Sequence, residues 1–112
     1  MLLNKGSWNG YRLLKPKSVE TMATNHIGNL FPGSSGIGAA GTGFGYSMEV
    51  VNDHVAANLA LPDGTFGWNG VGTRQFWIIP REKMVIVMYL PSGKAPTVHR
   101  DIESVVMGSL QH

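Results

Sequence analysis

The chain has 112 residues, of which 43% are hydrophobic and 14% are charged, and its formal net charge is +2. This length predicts one domain or a part of one, and the apolar share excludes a disordered chain. The small charge argues against a dedicated nucleic-acid binder, which needs clustered phosphate contacts. The chain has no cysteine, which excludes disulfides, thiolate metal ligands and a cysteine nucleophile.

Neither a membrane partner nor a nucleic-acid partner is expected. No apolar run approaches the roughly 20 residues of a membrane span, and residues 1–6 are too short and too soon polar for a secretory signal. Arg12, Lys15 and Lys17 form the only tight basic cluster, and a solvated face beside a helix explains it best.

The first 42 residues predict helices and a loop. Residues 1–27 indicate two helical pieces around a turn at Asn9-Gly10, and Pro16 suits the start of the second helix. Residues 28–42 are rich in glycine and predict a flexible loop.

The middle of the chain predicts strands. Apolar and small or polar residues alternate over 44–50, which indicates a half-buried strand, and residues 55–61 suggest a second. A further strand is predicted over 74–80. Residues 84–90 are nearly all apolar, which is typical of a strand buried on both faces and hence central or covered by helices.

A final helix is predicted from Pro96 or Thr97, because apolar residues recur there at helical spacing. The sequence therefore predicts that residues 1–112 form a single, partial domain of the α+β class. Its antiparallel sheet would have three to four strands, packed by N-terminal and C-terminal helices.

Motifs for cofactors and metals are weak or missing. Residues 36–41 match G-x-G-x-x-G, but a strand does not precede them and a helix does not follow, so a mobile glycine loop is the better interpretation. The four histidines, His26, His54, His99 and His112, lack ligand spacing and are expected to be surface or satisfied residues. No cofactor and no metal are predicted.

A serine nucleophile is not recognisable either. The G-x-S-x-G elbow is absent, and none of the eight serines has a lysine three residues later that could activate it. Ser92-Gly93-Lys94 is one residue too short for that spacing.

The segment T-F-G-W-N-G-V-G-T-R-Q-F-W-I-I-P, residues 65–80, resembles the late part of the serine β-lactamase-like family. That family includes class C β-lactamases, D-alanyl-D-alanine peptidases and esterases. The chain departs from its pattern at Asn69, where glycine is usual, and at Ile79, where aspartate is usual. Residues 1–14, 17–22 and 43–46 resemble further family segments in the same order, as M-L-L-N-x-G…N-G-x-R-L-L, S-P-x-T-V-x-x-M and G-x-G-F-G.

The resemblance implies the last third of the β-lactamase or penicillin-binding transpeptidase fold. Trp68-Asn69-Gly70 would be the family's third motif, on a strand that borders the substrate. The backbone N–H of Val71 would be an oxyanion-hole donor, and Trp68 would line the acyl pocket. Alternatively, Gly67 and its neighbouring glycines mark a bulge or bend and Trp68 belongs to the core.

The expected function is that of a C-terminal fragment of a serine hydrolase acting on esters or amides. The family's Ser-x-x-Lys and Tyr-x-Asn motifs are missing, so the fragment is expected to be inactive by itself. Alternatives are a self-associating module, with a dimer favoured, or a half-enzyme that complements a separate chain. The family includes exported and intracellular proteins, so no compartment is predicted.

Overall fold

A computed structural model describes residues 1–31, 40–70, 74–90 and 95–110. These residues form an α+β structure with two α-helices and a five-stranded antiparallel sheet. The helices are α1 (Pro16–Met22) and α2 (Ala95–Ser109), and single 3-10 turns lie at Leu2–Asn4 and Pro80–Glu82. The strands are β1 (Ser7–Trp8), β2 (Tyr11–Arg12), β3 (Thr42–Phe44), β4 (Glu49–Val51), β5 (Phe66–Asn69), β6 (Arg74–Ile79) and β7 (Met84–Tyr89).

The N-terminal part has the predicted turn and the second predicted helix, whereas the first predicted helical piece is only a 3-10 turn, which a short hairpin follows. Strands β1 and β2 form a two-residue hairpin in which Trp8 pairs with Tyr11. Asn9 and Gly10 both have positive φ, at 49° and 82°, which is the geometry that twists a tight hairpin correctly. Pro16 is the first residue of α1, as expected from its fixed φ and missing N–H.

The large sheet has the order β3-β4-β5-β6-β7, so the prediction of three to four strands is one or two strands short. The stretch 44–50 is the tip of a hairpin and not a single strand. Phe44 pairs with Glu49, Gly45 N–H donates to the Met48 carbonyl at 2.8 Å, and Ser47 takes a φ of 60°. The alternation of apolar residues runs through this turn and therefore hid it.

The prediction of a strand at 55–61 is also wrong, because these residues form turns. Asp53 Oδ1 accepts hydrogen bonds from the backbone N–H groups of Val55 and Ala56, at 3.1 and 3.0 Å. Asn58 has a φ of 53°, and Asp63 Oδ1 accepts from the backbone N–H of His54 at 2.7 Å. These side-chain bonds satisfy the backbone locally, and the segment forms turns instead of joining the ladder.

Strand β7 is not buried on both faces, as its apolar run had predicted, and it lies at the edge of the sheet. Ile86 and Met88 are buried on one face. Val85, Val87 and Tyr89 point to the other face and are exposed, Val87 to 75%. The apolar run thus belongs to a strand with only one covered face.

The sheet lies between the two helical layers, which confirms the predicted packing by N-terminal and C-terminal helices. Ile102 and Val106 of α2 pack on a core cluster on one face, whose buried members are Leu61, Trp77, Ile79, Ile86 and Met88. On the other face Val19 of α1 packs in a second cluster with Val50, Phe66 and Ile78, flanked by Leu2, Leu3 and Leu14. Within the described ranges, no helix has the length and apolar character to cross a membrane.

Much of the predicted glycine-rich loop at 28–42 lies outside the described residues, since these omit 32–39. That gap includes most of the G-x-G-x-x-G match. Within the described part, Gly41 has a φ of 75° and Thr42 already belongs to β3.

Candidate active site

The residues predicted to border a substrate lie at the end of β5. Trp68 pairs with Phe76 and Asn69 pairs with Gln75 of β6. The backbone N–H of Gly70 donates to the Arg74 carbonyl at 2.8 Å, which closes the hairpin end. Val71, the predicted oxyanion donor, lies in 71–73, outside the described residues.

One side of this strand end has no strand against it in the described structure. β4 pairs with β5 only at Phe66 and Gly67, whereas β6 continues along β5 to Asn69. Because the Gly70 N–H points to β6, the alternation of an antiparallel ladder turns the N–H and C=O of Asn69 to the opposite side. An extended ligand could pair with these groups as an added strand does.

Trp68 contacts two other aromatic side chains beside this edge. Its ring lies 5.3 Å from Phe44 in an edge-on arrangement and 6.4 Å from Phe31, centroid to centroid. Phe31 is buried, whereas Trp68 and Phe44 are half-buried. The indole therefore packs on one side and remains partly exposed on the other, which suits both interpretations of Trp68. No sequence pattern indicates this trio, because 24 or more residues separate Trp68 from each of the two phenylalanines.

Gly67 and Gly70 occupy different environments, although both belong to the same glycine-rich motif. A Cβ at residue 67 would overlap the Phe76 carbonyl oxygen and come within 2.9 Å of the Trp77 ring. A Cβ at residue 70 would meet only the Arg74 side chain, at an ordinary 3.5 Å. Packing therefore requires glycine at 67, whereas nothing described requires it at 70, where a glycine leaves the backbone accessible to a ligand.

Arg74 adds a cation next to this edge, and it was not among the predicted site residues. Its guanidinium donates to the Tyr89 hydroxyl at 3.2 Å and lies 5.0 Å from the centre of that ring. Its position in the sequence could have indicated Arg74, because a hairpin of β5 and β6 places it opposite Gly70, the last residue of the Trp68-Asn69-Gly70 motif.

No group of three potential metal ligands occurs among the described residues. His26 is exposed, stacks on Tyr46 and bonds the Thr21 carbonyl at 2.7 Å. His54 bonds Asp63 at 2.7 Å, and this bond holds the pKa of the Asp63 carboxyl below its usual value. His99 departs from the prediction, because it is buried and its Nε2 has no partner in the described structure.

Known sequences and a solved structure are similar to this chain over most of its length. Rv1367c of Mycobacterium tuberculosis (strain ATCC 25618 / H37Rv) is 34% identical over an alignment of 116 positions, which covers 97% of this chain and 28% of that protein. The protein MT1414 of strain CDC 1551 / Oshkosh matches with the same identity and coverage. The solved structure of EstCE1, "a hydrolase with promiscuous acyltransferase activity", has a TM-score of 0.69 at 25% identity. It covers 91% of this chain, which in turn covers 26% of EstCE1. No family model matches the chain.

These likenesses confirm the resemblance that the motifs predicted. The chain is therefore similar to part of a β-lactamase-like esterase, and it spans little more than a quarter of the length of the proteins that it matches.

We predict that Gly67→Ala destabilises the chain, whereas Gly70→Ala does not. The first methyl group would have to displace the backbone of β6, at a cost of about 1–3 kcal/mol. The second would change the free energy of unfolding by less than about 0.5 kcal/mol. Urea denaturation of the two matched variants measures both effects, and equal losses would contradict the distinction.

We predict that Trp68→Ala costs less stability than Trp77→Ala. Trp77 is a fully packed core side chain, for which truncation costs about 3–5 kcal/mol, whereas the half-buried Trp68 should cost about 1–2 kcal/mol. The same denaturation experiment compares them. A loss at Trp68 as large as at Trp77 would assign Trp68 to the core.

Proposed function

We propose that this chain is the C-terminal, substrate-bordering part of a serine hydrolase that transfers acyl groups from esters or amides. The observation that carries the proposal is the open side of β5 at Asn69, within a chain that aligns with a hydrolase over 91% of its length. In the complete enzyme a serine would attack the carbonyl, and water would then release the acyl group.

The residues at this edge have complementary roles in the proposal. The backbone of Asn69 aligns the substrate along the strand, and Gly70 lets it approach. The N–H of Val71 stabilises the oxyanion of the tetrahedral intermediate, which requires a donor held in place before the charge develops. Trp68 lines the acyl pocket together with Phe44. The substrate's ester or amide carbonyl would lie between this edge and the nucleophile of the remaining part.

The chain itself supplies no nucleophile in this scheme. No serine is followed by lysine at the third position, and no tyrosine is followed by asparagine at the second. The chain also spans only 28% of Rv1367c and 26% of EstCE1, so the nucleophile and base would come from the remaining part.

We predict that the purified chain forms no covalent adduct with a fluorophosphonate or a penicillin. Intact-mass measurement after incubation with each reagent tests this, with an active serine hydrolase as the control for the reagents. A stoichiometric adduct would contradict the proposal, because it would show that one of the eight serines is activated within this chain.

A second experiment tests the positive part of the proposal. The chain is mixed with the remainder of EstCE1, lacking the aligned quarter, and ester hydrolysis is measured. We expect activity only with both parts, and we expect Gly70→Ala to lower it while leaving the stability of the chain unchanged. If the EstCE1 remainder hydrolyses the ester by itself, the role assigned to this chain is contradicted.

A second candidate function, self-association, is favoured by the outer edge of β7. Backbone groups of successive residues alternate in direction along each strand of an antiparallel sheet. The register of β5, β6 and β7 therefore directs the N–H and C=O groups of Val85, Val87 and Tyr89 away from β6, to the open edge of the sheet. No charged residue lies between Met84 and Tyr89, although edge strands commonly use charges to prevent pairing. Antiparallel pairing of two β7 strands would give a dimer with a continuous sheet.

We predict that Val87→Lys weakens such a dimer and that Val55→Lys does not. The two valines are almost equally exposed, at 75% and 76%, but Val55 lies in the turns before β5. Light scattering at micromolar concentration should give twice the 12.1 kDa chain mass for the wild type and for Val55→Lys. A wild-type monomer would reject the dimer.

A further inference from the structure

The hairpin of β1 and β2 carries three large apolar side chains that are open to solvent in the described structure. Trp8 and Tyr11 are direct cross-strand partners, so their rings lie on the same face of the hairpin. Leu13 comes directly after β2. The three residues are 63%, 74% and 68% exposed. Together they form what we call the hairpin surface.

Hydrogen bonds at its base hold the hairpin in place. The backbone N–H of Leu13 donates to the Gly6 carbonyl at 2.8 Å. Arg12 Nη1 donates to the carbonyl oxygens of Lys5 and Leu14, at 3.1 and 2.9 Å. Leu14 in turn packs against the core cluster beneath α1. A partner would therefore meet apolar side chains whose backbone is already ordered, which lowers the entropic cost of binding.

The hairpin belongs to the most basic part of the chain. Residues 1–19 have four basic side chains and no acidic one, whereas residues 20–112 have five basic and seven acidic ones. The first segment thus has a formal charge of +4 and the remainder −2, which gives the net +2. The four basic residues are Lys5, Arg12, Lys15 and Lys17. Among the described residues only Lys17 of these pairs with a carboxylate, that of Glu20 at 3.3 Å.

An anionic membrane surface fits this combination better than a folded protein does. Tryptophan and tyrosine join an apolar ring to a polar N–H or O–H group, and they are enriched where hydrocarbon meets the lipid headgroups. Basic side chains next to them are attracted to anionic lipids. A stable protein interface buries about 800 Å² on each partner, whereas each aromatic side chain supplies only about 150–250 Å². Insertion into a lipid interface has no such minimum area and needs no matching shape.

The expectation that the chain has no membrane partner rests on the lack of a segment that could span a bilayer. A contact at the membrane surface needs no span, because an amphipathic element can lie among the headgroups with only its apolar side inserted. The exposure of Trp8 and Tyr11, which only the structure reveals, therefore supports a different kind of membrane contact.

We propose that the hairpin surface inserts into the interface of anionic membranes, and that Lys5, Arg12 and Lys15 supply the electrostatic attraction. The chain lies on the bilayer and does not cross it. The contact is reversible and weakens as salt is added, because ions screen exposed charges. It does not depend on the proposed hydrolase function, since the hairpin belongs to a separate two-stranded sheet from the strand edge at Asn69.

The first test is sedimentation of the purified wild-type chain with lipid vesicles. We expect binding to vesicles of phosphatidylcholine mixed equally with phosphatidylglycerol. Binding to pure phosphatidylcholine should be weaker by about tenfold or more, since each basic residue near an anionic surface contributes about fivefold. Equal binding to the two kinds of vesicle, or no binding to either, would overturn the proposal.

The second test compares Tyr11→Ser with Tyr46→Ser. Both tyrosines are exposed, at 74% and 58%. The backbone N–H of Tyr46 donates to the carbonyl of Met22, the last residue of α1, whereas the hairpin precedes the first residue of that helix. We expect Tyr11→Ser to weaken binding to the anionic vesicles by about fivefold and Tyr46→Ser to leave it unchanged. Equal losses would show that the hairpin is not the binding surface.

Trp8 provides a third, spectroscopic test. Tryptophan emission of the wild type should shift to shorter wavelength when anionic vesicles are added. Trp8→Phe should lose this shift and still sediment with the vesicles, because its ring remains apolar, whereas Trp8→Ser should bind more weakly. A shift that persists in Trp8→Phe would overturn the proposal, because Trp68 or Trp77 would then report the contact.

Light scattering of the same variants separates the membrane from a protein partner. The mass of the chain should be the same for the wild type and for Tyr11→Ser. If Tyr11→Ser lowers the mass of an oligomer and leaves vesicle binding unchanged, the hairpin surface contacts a second copy of the chain and the proposal is wrong.

Discussion

The close contact between Trp77 and the backbone of Gly67 connects the central strands to the C-terminal helix. Because residue 67 has no side chain, the indole of Trp77 can lie close to β5. A Cβ atom at residue 67 would come within 2.9 Å of the Trp77 ring. From there the indole fills the core beneath α2 and donates its N–H to Glu103. A single side chain thus joins β5, β6 and the C-terminal helix, and its position depends on one missing methyl group.

The same pair of strands also carries the features that bear on function. At one end of the β5–β6 ladder, Asn69 turns its backbone outward while its partner Gln75 reaches the buried Glu103 and His99. In the proposed function β5 aligns the substrate and a separate segment supplies the nucleophile. The sequence of this chain contains no Ser-x-x-Lys motif that could supply it. Its glycines divide accordingly, since Gly67 serves packing and Gly70 leaves the backbone accessible.

The incorrect predictions for β3, β4, β7 and the turns before β5 have a common physical origin. Alternation of apolar residues reports which face of a strand is buried, but it does not report where the strand stops, so the turn between β3 and β4 was missed. The apolar run of β7 indicated burial on both faces, yet the sheet order places β7 at the edge with Val87 exposed. In the turns before β5, Asp53 and Asp63 satisfy backbone N–H groups that a strand would have used.

The sequence by itself determined the α+β class, the helices α1 and α2, the strands β6 and β7 and the resemblance to the serine β-lactamase-like family, because local propensity, periodicity and a dense motif encode these directly. It also located the candidate edge at Trp68-Asn69-Gly70. Only the tertiary structure decided the number and order of strands, the exposed face of β7, the aromatic contacts of Trp68 and the burial of His99 with Glu103. Those features depend on which distant segments meet, and a linear pattern of residues carries little information about such partners.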